Sequence, residues 1–336
     1  MSSATHETFD LGPLKSVTRL WCGLWQLSSN AWGSAPVPRI RKCMGQHVDL
    51  GFTAFADHYG SAEIIFGQFR KSLPSPEPSI TGATKWCVFK PLVPSRAVVE
   101  AAVRERLTRM QTSKLDLLQD YSDKGYISAL EILNDLRGEG LISAIGLCNF
   151  DTIRTDEICT QLPGIIVSNQ VQFSLIDTRP LHGMTDVCGR HGVKLLTYGT
   201  LCGGFLSDTW LNKLEPDLYS GELTPSQRKY LDMIKVWGTW ALFQRLLRCL
   251  RAIGDRHGGL SIANIATRWV LDQPCVGAVL VGARLGLSDH LEDNIKVFQP
   301  ECRLTHDDRE EIEDVLAYSN GRKIITTIGD CGAEYR

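Results

Sequence analysis

Tyr59, in the run Ala56-Asp57-His58-Tyr59-Gly60-Ser61-Ala62-Glu63, and Lys85, closing the apolar segment Ser79-Ile80-Thr81-Gly82-Ala83-Thr84-Lys85, offer a phenol and an ammonium. A phenol ordinarily ionises at a pH of about 10, and a neighbouring cation lowers that value by stabilising the phenolate. Such a pair suits a general acid for a carbonyl oxygen that is receiving a hydride. Taken alone, the two residues read first as a surface tyrosine in an Asp-His-Tyr-Gly turn and a lysine at a strand end. The elements that carry them have to decide between these readings.

Short β-rich apolar runs recur at Leu20 to Leu27, Gly51 to Ala56, Ser79 to Lys85, Leu115 to Gln119, Ile142 to Cys148, Ile165 to Phe173, Val193 to Tyr198 and Gly277 to Ala283. Between them lie stretches with helical periodicity, among them Ser95 to Met110 with Ser95 as N-cap, Ser128 to Arg137 ending at Gly138, and Ser261 to Leu271 capped by Ser261. Alternating strands and helices imply a parallel sheet with right-handed crossovers. Eight such units predict an α/β fold, a closed (β/α)8 TIM barrel, and the absence of Gly-x-Gly-x-x-Gly after the first strand argues against an open sheet. The expected organisation is one barrel domain over 1–336, with a polar N-terminal segment at 1–19 and a C-terminal helix and tail at 299–336. Asp208 to Trp240, long and Trp-rich, reads equally as a pocket-covering loop and as an extra helix. Helices are expected at Asp289 to Val297 and His306 to Tyr318, and the tail is a candidate for the pocket rim.

A chain of 336 residues with 43% hydrophobic content can bury a large core, which excludes disorder. Its formal charge of -2, without long runs of like charge, suits neither nucleic acid nor an anionic membrane and favours a small-molecule partner. Eleven scattered cysteines without zinc spacing read as free buried thiols, and no metal site is expected. The polar N-terminus and the lack of any stretch of roughly 20 apolar residues point to the cytoplasm. Oligomeric state is not legible.

In a barrel, chemistry belongs at the C-terminal ends of the strands. That ring holds Tyr59, Lys85, Cys148-Asn149, Gln170, Tyr198 and Gly282-Ala283-Arg284. Together with Gly23-Leu24-Trp25-Gln26, Ala83-Thr84-Lys85-Trp86-Cys87, Ile145-Gly146-Leu147-Cys148-Asn149-Phe150, Asn169-Gln170-Val171-Gln172-Phe173 and Val281-Gly282-Ala283-Arg284, these phrases resemble the aldo-keto reductase family from about Leu20 to Phe298. The resemblance implies an NADP cofactor, its nicotinamide carboxamide held near Cys148, Asn149 and Gln170 and its ring stacked on Tyr198. Cys148 stands where the family has Ser, and a thiol is the poorer hydrogen-bond partner. The stretch Tyr198 to Gly204, with Gly199, Leu201 and Gly203, resembles the cofactor-covering loop. Gly282, Arg284, Ser288 and Asn294 resemble the pyrophosphate and adenosine site, where a helix N-terminus and an arginine suit phosphate.

The resemblance also implies a catalytic Asp, Tyr, Lys and His, of which only Tyr59 and Lys85 are plain. Ala54 stands five positions before Tyr59, in a stretch shortened by about two residues, and Asp57 matches the second, non-catalytic Asp of the pattern while remaining the available candidate carboxylate. The His is expected two places after the residue matching Gln119, where Asp120-Tyr121-Ser122-Asp123 follows directly and about four residues are missing. Losses of even number preserve which side chains face inward, so the barrel can survive them. His58 or Tyr121 are the substitutes at hand for the imidazole. New chemistry, weak activity and short omissions from the written sequence all fit these gaps. Three functions follow: an NADP-dependent carbonyl reductase with Tyr59 as proton donor and Lys85 as its partner, acting on a small apolar or aromatic ketone or aldehyde; a dehydratase, isomerase or cyclase without net redox change; and a catalytically weak NADP(H)-binding protein.

Overall fold

Eight strands pair side by side, all parallel, and close into a barrel in the order β10-β3-β4-β5-β6-β7-β8-β9. They are β3 (Leu20–Gly23), β4 (Ala54–His58), β5 (Thr81–Cys87), β6 (Leu115–Tyr121), β7 (Ile142–Cys148), β8 (Ile166–Gln172), β9 (Lys194–Tyr198) and β10 (Val276–Gly282). The computed structural model describes residues 6–58, 60–74, 80–90, 92–122, 124–219, 221–288 and 290–335, and of Asp57 and His58 the backbone only. The expected (β/α)8 barrel is therefore the observed architecture.

Period-two alternation divides the core in two. Trp21, Ala54, Ala56, Ala83, Leu117, Ala144, Leu196 and Ala278 fill the barrel interior, the small alanines allowing the walls to approach. The opposite faces of the same strands, such as Phe55, Leu118 and Ile145, pack against the surrounding helices. Those helices are α1 (Val37–Asp49), α2 (Ser61–Lys71), α3 (Arg96–Arg109), α4 (Tyr126–Gly138), α5 (Thr152–Gln161), α6 (Met184–His191), α7 (Pro225–Trp237), α8 (Trp240–Arg256), α9 (Ile262–Leu271), α10 (Leu291–Asn294), α11 (His306–Leu316) and α12 (Ile324–Ile328). Ser95 and Ser261 cap α3 and α9 as the sequence indicates, each side-chain oxygen accepting from the backbone amide three residues on.

Four features differ from expectation or add to it. The polar segment 1–19 carries an antiparallel hairpin, β1 (Thr8–Leu11) and β2 (Leu14–Thr18), whose Leu11 and Val17 join the barrel interior and close its N-terminal end. The second half of Asp208 to Trp240 forms α7 and the start of α8, so the helical reading holds there. Strand β6 does not stop at Gln119 but continues to Tyr121, paired with Cys87. In β4, Phe55 opposes Gly82 and His58 opposes Thr84, so Ala56 and Asp57 together face Ala83 in a bulge. The barrel thus closes through both of these stretches.

None of the eleven cysteines forms a disulfide with a described residue, and Cys43, Cys87, Cys249 and Cys275 are only partly buried. Burial pushes the Cys202 and Cys302 thiols up to about 12, so they pack as small apolar groups rather than nucleophiles. Among the described residues no helix is long and apolar enough to cross a membrane.

Candidate active site

Lys85 lies near the C-terminal end of β5, opposite Gln119 of β6, and is 5% exposed. Its backbone carbonyl accepts from Nε of Arg106 at 2.7 Å, which ties β5 to α3. Tyr59 and the Asp57 side chain lie outside the described residues. The lysine of the proposed pair is therefore fixed in the barrel wall.

Next to Lys85 the interior changes character. Gln119 pairs with Gly146 of β7, and Gly146 with Ser168 of β8. A side chain at Gly146 would place its Cβ 2.5 Å from Ser168 Oγ and 3.4 Å from Gln119 Cγ, so the glycine makes room for both. Gln119 and Ser168 are wholly buried, and neither the Gln119 amide nor the Ser168 hydroxyl has a hydrogen-bond partner among the described residues. Leaving such groups unpaired costs about 1–3 kcal/mol each, which marks a polar layer above the alanine layer as a place where a ligand or solvent would be welcome. No motif singles these two out; the signal available was a polar residue at an inward position of an otherwise apolar strand.

Around the mouth the predicted residues converge. Cys148 ends β7 opposite Gln170 of β8, and the Asn149 amide donates to the Gln170 carbonyl at 2.9 Å. Asn149 has a φ of 56°, a left-handed conformation that asparagine tolerates, and this turns its side chain toward β9. There the Tyr198 hydroxyl donates to Asn149 Oδ1 at 3.0 Å. Burial, with the phenols of Tyr335 and Tyr230 adding to it, raises Tyr198 well above the ordinary phenol value, so it stays neutral as a stacking surface should. The loop behind it is held close: Gly199 has a φ of 73°, Gly203 a φ of 65°, and both face α7, where Leu201 also packs on the core.

Gly282 ends β10 beside Gly23, and a Cβ there would lie 3.5 Å from Gln26 Nε2. The Arg284 carbonyl accepts from the amides of Leu287 at 2.8 Å and Ser288 at 3.1 Å, forming a tight turn that leads to Asn294 in α10. The Arg284 side chain is exposed, and no described residue forms a salt bridge with it. A bare cation on a turn at a barrel mouth fits a phosphate group.

The tail, the candidate for the pocket rim, reaches the mouth through Tyr335. Arg179, 1% exposed, binds Asp177 at 2.9 Å and reaches Glu334 at 2.8 and 2.9 Å. Burial would raise the Glu334 carboxyl, but its hydrogen bonds and charge pairing with Arg179 win and hold it below the usual carboxylate range. Tyr335 then meets the mouth: Lys229 Nζ donates to its hydroxyl at 2.6 Å, and its hydroxyl lies 3.3 Å from that of Tyr198. Trp32 is buried, donating to Ser226 Oγ at 3.0 Å, and Trp210 stacks among Phe205 and Trp240, whereas Tyr219 is 90% exposed.

A closed parallel barrel with this ring of residues defines the class, and the comparisons agree. The family model described as "Aldo/keto reductase family" matches residues 19–317, and the chain belongs to that family. Among curated proteins it is 32% identical over 174 residues to flagellar radial spoke protein 5 of Chlamydomonas reinhardtii, covering 52% of this chain but only 31% of that protein. It is 25% identical over 287 residues to aldo-keto reductase YhdN of Bacillus subtilis, covering 80% of this chain and 81% of that one. Among solved structures, the glycerol dehydrogenase AKR11B4 from Gluconobacter oxydans superposes with a TM-score of 0.74 at 22% identity, covering 96% and 97% of the two chains, a likeness of fold.

Proposed function

We propose that the chain is a carbonyl reductase that uses NADP and acts on a small apolar or aromatic ketone or aldehyde. The observation that carries this is the convergence of Cys148, Asn149, Gln170 and Tyr198 on one rim, with Lys85 buried just below. The cofactor, when bound, supplies the hydride. Asn149 and Gln170 have the donors and acceptors to hold a carboxamide, Tyr198 offers a neutral ring for stacking, and Arg284 offers a cation for phosphate. NADP over NAD rests on that cation. Lys85 lowers the phenol pKa of Tyr59, which then protonates the carbonyl oxygen. Exposed Trp25 and Phe89 give the rim an apolar character that suits such a substrate. A cytoplasmic setting remains our reading of the composition.

The test is oxidation of NADPH by the purified protein with a panel of ketones and aldehydes, repeated with Tyr59→Phe. Loss of one positioned acid lowers turnover roughly 10²- to 10⁴-fold. Unchanged turnover in the variant eliminates this mechanism. A second reading, a dehydratase, isomerase or cyclase, is favoured by Ala54, which sits in the apolar interior layer and supplies no carboxylate. Substrate conversion without any nicotinamide would establish it, and NADPH binding without turnover would instead leave a cofactor-binding protein.

A further inference from the structure

The C-terminal segment after α12 contacts the mouth at several independent points. Asp330 Oδ2 accepts from the Thr152 amide at the start of α5 at 2.7 Å. Arg179 holds Glu334 through two hydrogen bonds, and Lys229 holds the Tyr335 hydroxyl. Between these anchors, Gly332 presses on the Asn149 backbone so closely that a Cβ would lie 2.1 Å from the Asn149 carbonyl oxygen. The segment therefore rests on Asn149 and Tyr198, and the Tyr335 carbonyl also lies 3.5 Å from the Tyr121 hydroxyl.

We propose that residues 329–335 are a built-in plug over the nicotinamide end of the groove, and that a dinucleotide binds only after this segment swings out. The proposal rests on the reading that Asn149 and Tyr198 receive the nicotinamide. A ring stacked on Tyr198 needs the hydroxyl neighbourhood that Tyr335 fills, and Tyr335 also holds Lys229 of α7, whose Nζ lies 5.6 Å from the Tyr198 ring centroid. The costly anchor is buried Arg179, which also bonds the Gly329 and Asp330 carbonyls but keeps its pair with Asp177 when the segment leaves; the other anchors are polar contacts that water can replace, Tyr335 is 37% exposed, and apart from Cys331 little apolar burial is lost. Gly329 with a φ of 85° and Gly332 with a φ of 76° bracket the segment with backbone that can absorb a large rotation. Apparent affinity falls in proportion to the open fraction, so a plug shut nine-tenths of the time weakens binding about tenfold.

Three measurements with NADPH as probe decide it: dissociation constants of the full chain, of a chain ending at Ile328, and of full-length Gly332→Val, each first checked for a cooperative melt. The shortened chain and Gly332→Val are expected to bind about tenfold more tightly. In the unaltered chain, amide exchange in 329–335 is expected to accelerate when NADPH binds, a readout that needs no variant to fold. Equal or weaker binding by both altered chains, or exchange that slows or stays constant, overturns the plug and makes the tail a fixed wall of the site. Binding by no form defeats the dinucleotide reading itself and the plug with it.

Discussion

Gly199 directly follows Tyr198, has a φ of 73°, and would place a Cβ 2.2 Å from the hydroxyl of buried Tyr230. Alanine there meets a strained backbone and a side chain with nowhere to retreat. Gly199→Ala is expected to lower unfolding stability by about 1–3 kcal/mol and to weaken NADPH binding, since the loop it displaces carries Leu201 and Gly203. Urea denaturation with a parallel binding titration checks this; an alanine variant matching the parent in both would show that the loop is not held against α7. Residue positions at the strand ends were legible wherever a phrase of several residues marked them, as for Lys85, Cys148, Asn149 and Gln170. Gln119 and Ser168 were not, because a single buried polar side chain carries no pattern until the register of three strands brings it beside Lys85.

At the scale of elements, α11 shows how one side chain can fix a helix. Asp308, nearly fully buried, accepts from the amide and hydroxyl of Thr305 at 2.9 and 2.7 Å, from Arg256 at 2.9 Å and pairs with His257 Nε2 at 2.7 Å. Burial would raise its carboxyl, but these donors together hold it far below the usual range. A folded-state pKa below the unfolded one means the stabilisation is present above the unfolded value, about 4, and is lost as pH falls toward the folded one. Asp308→Asn is therefore expected to lose about 2 kcal/mol near neutral pH and to show a flatter decline in acid than the parent, read from thermal melts across that range. Equal acid sensitivity in the two proteins would refute the pairing. Helices with such caps were legible in outline. The end of β6 was not, because Asp120 reads as a strand breaker while in the fold it is wholly buried, accepting from Ser122 Oγ at 2.7 Å, and the strand runs on to Tyr121.

The whole molecule closes at a seam where β10 pairs with β3, joining the first and last barrel strands. Eight alternating units foretold a barrel, but nothing local foretold how the seam is fastened, since the fastening residues are far apart in sequence. Glu7, just before β1, binds Arg19 at 3.0 Å, Arg268 of α9 at 2.8 Å and Arg303 at 2.6 Å. Arg268 is 1% exposed and Arg19 further bonds the carbonyls of Gly277, Leu271 and Val276, so a single carboxylate ties the hairpin, the seam and the C-terminal helices. Removing it leaves clustered guanidinium groups with, among the described residues, only Asp272 nearby to offset them. Breaking a buried pair by deleting one partner costs about 3–5 kcal/mol, and Glu7, itself partly exposed, belongs at the lower end. Glu7→Gln is expected to lower unfolding free energy by about 3 kcal/mol, whereas Asp10→Asn, which removes a solvent-exposed pair with Lys15, should leave it unchanged. Urea midpoints for the two variants that shift equally would mean that the seam is held by strand pairing and core packing alone.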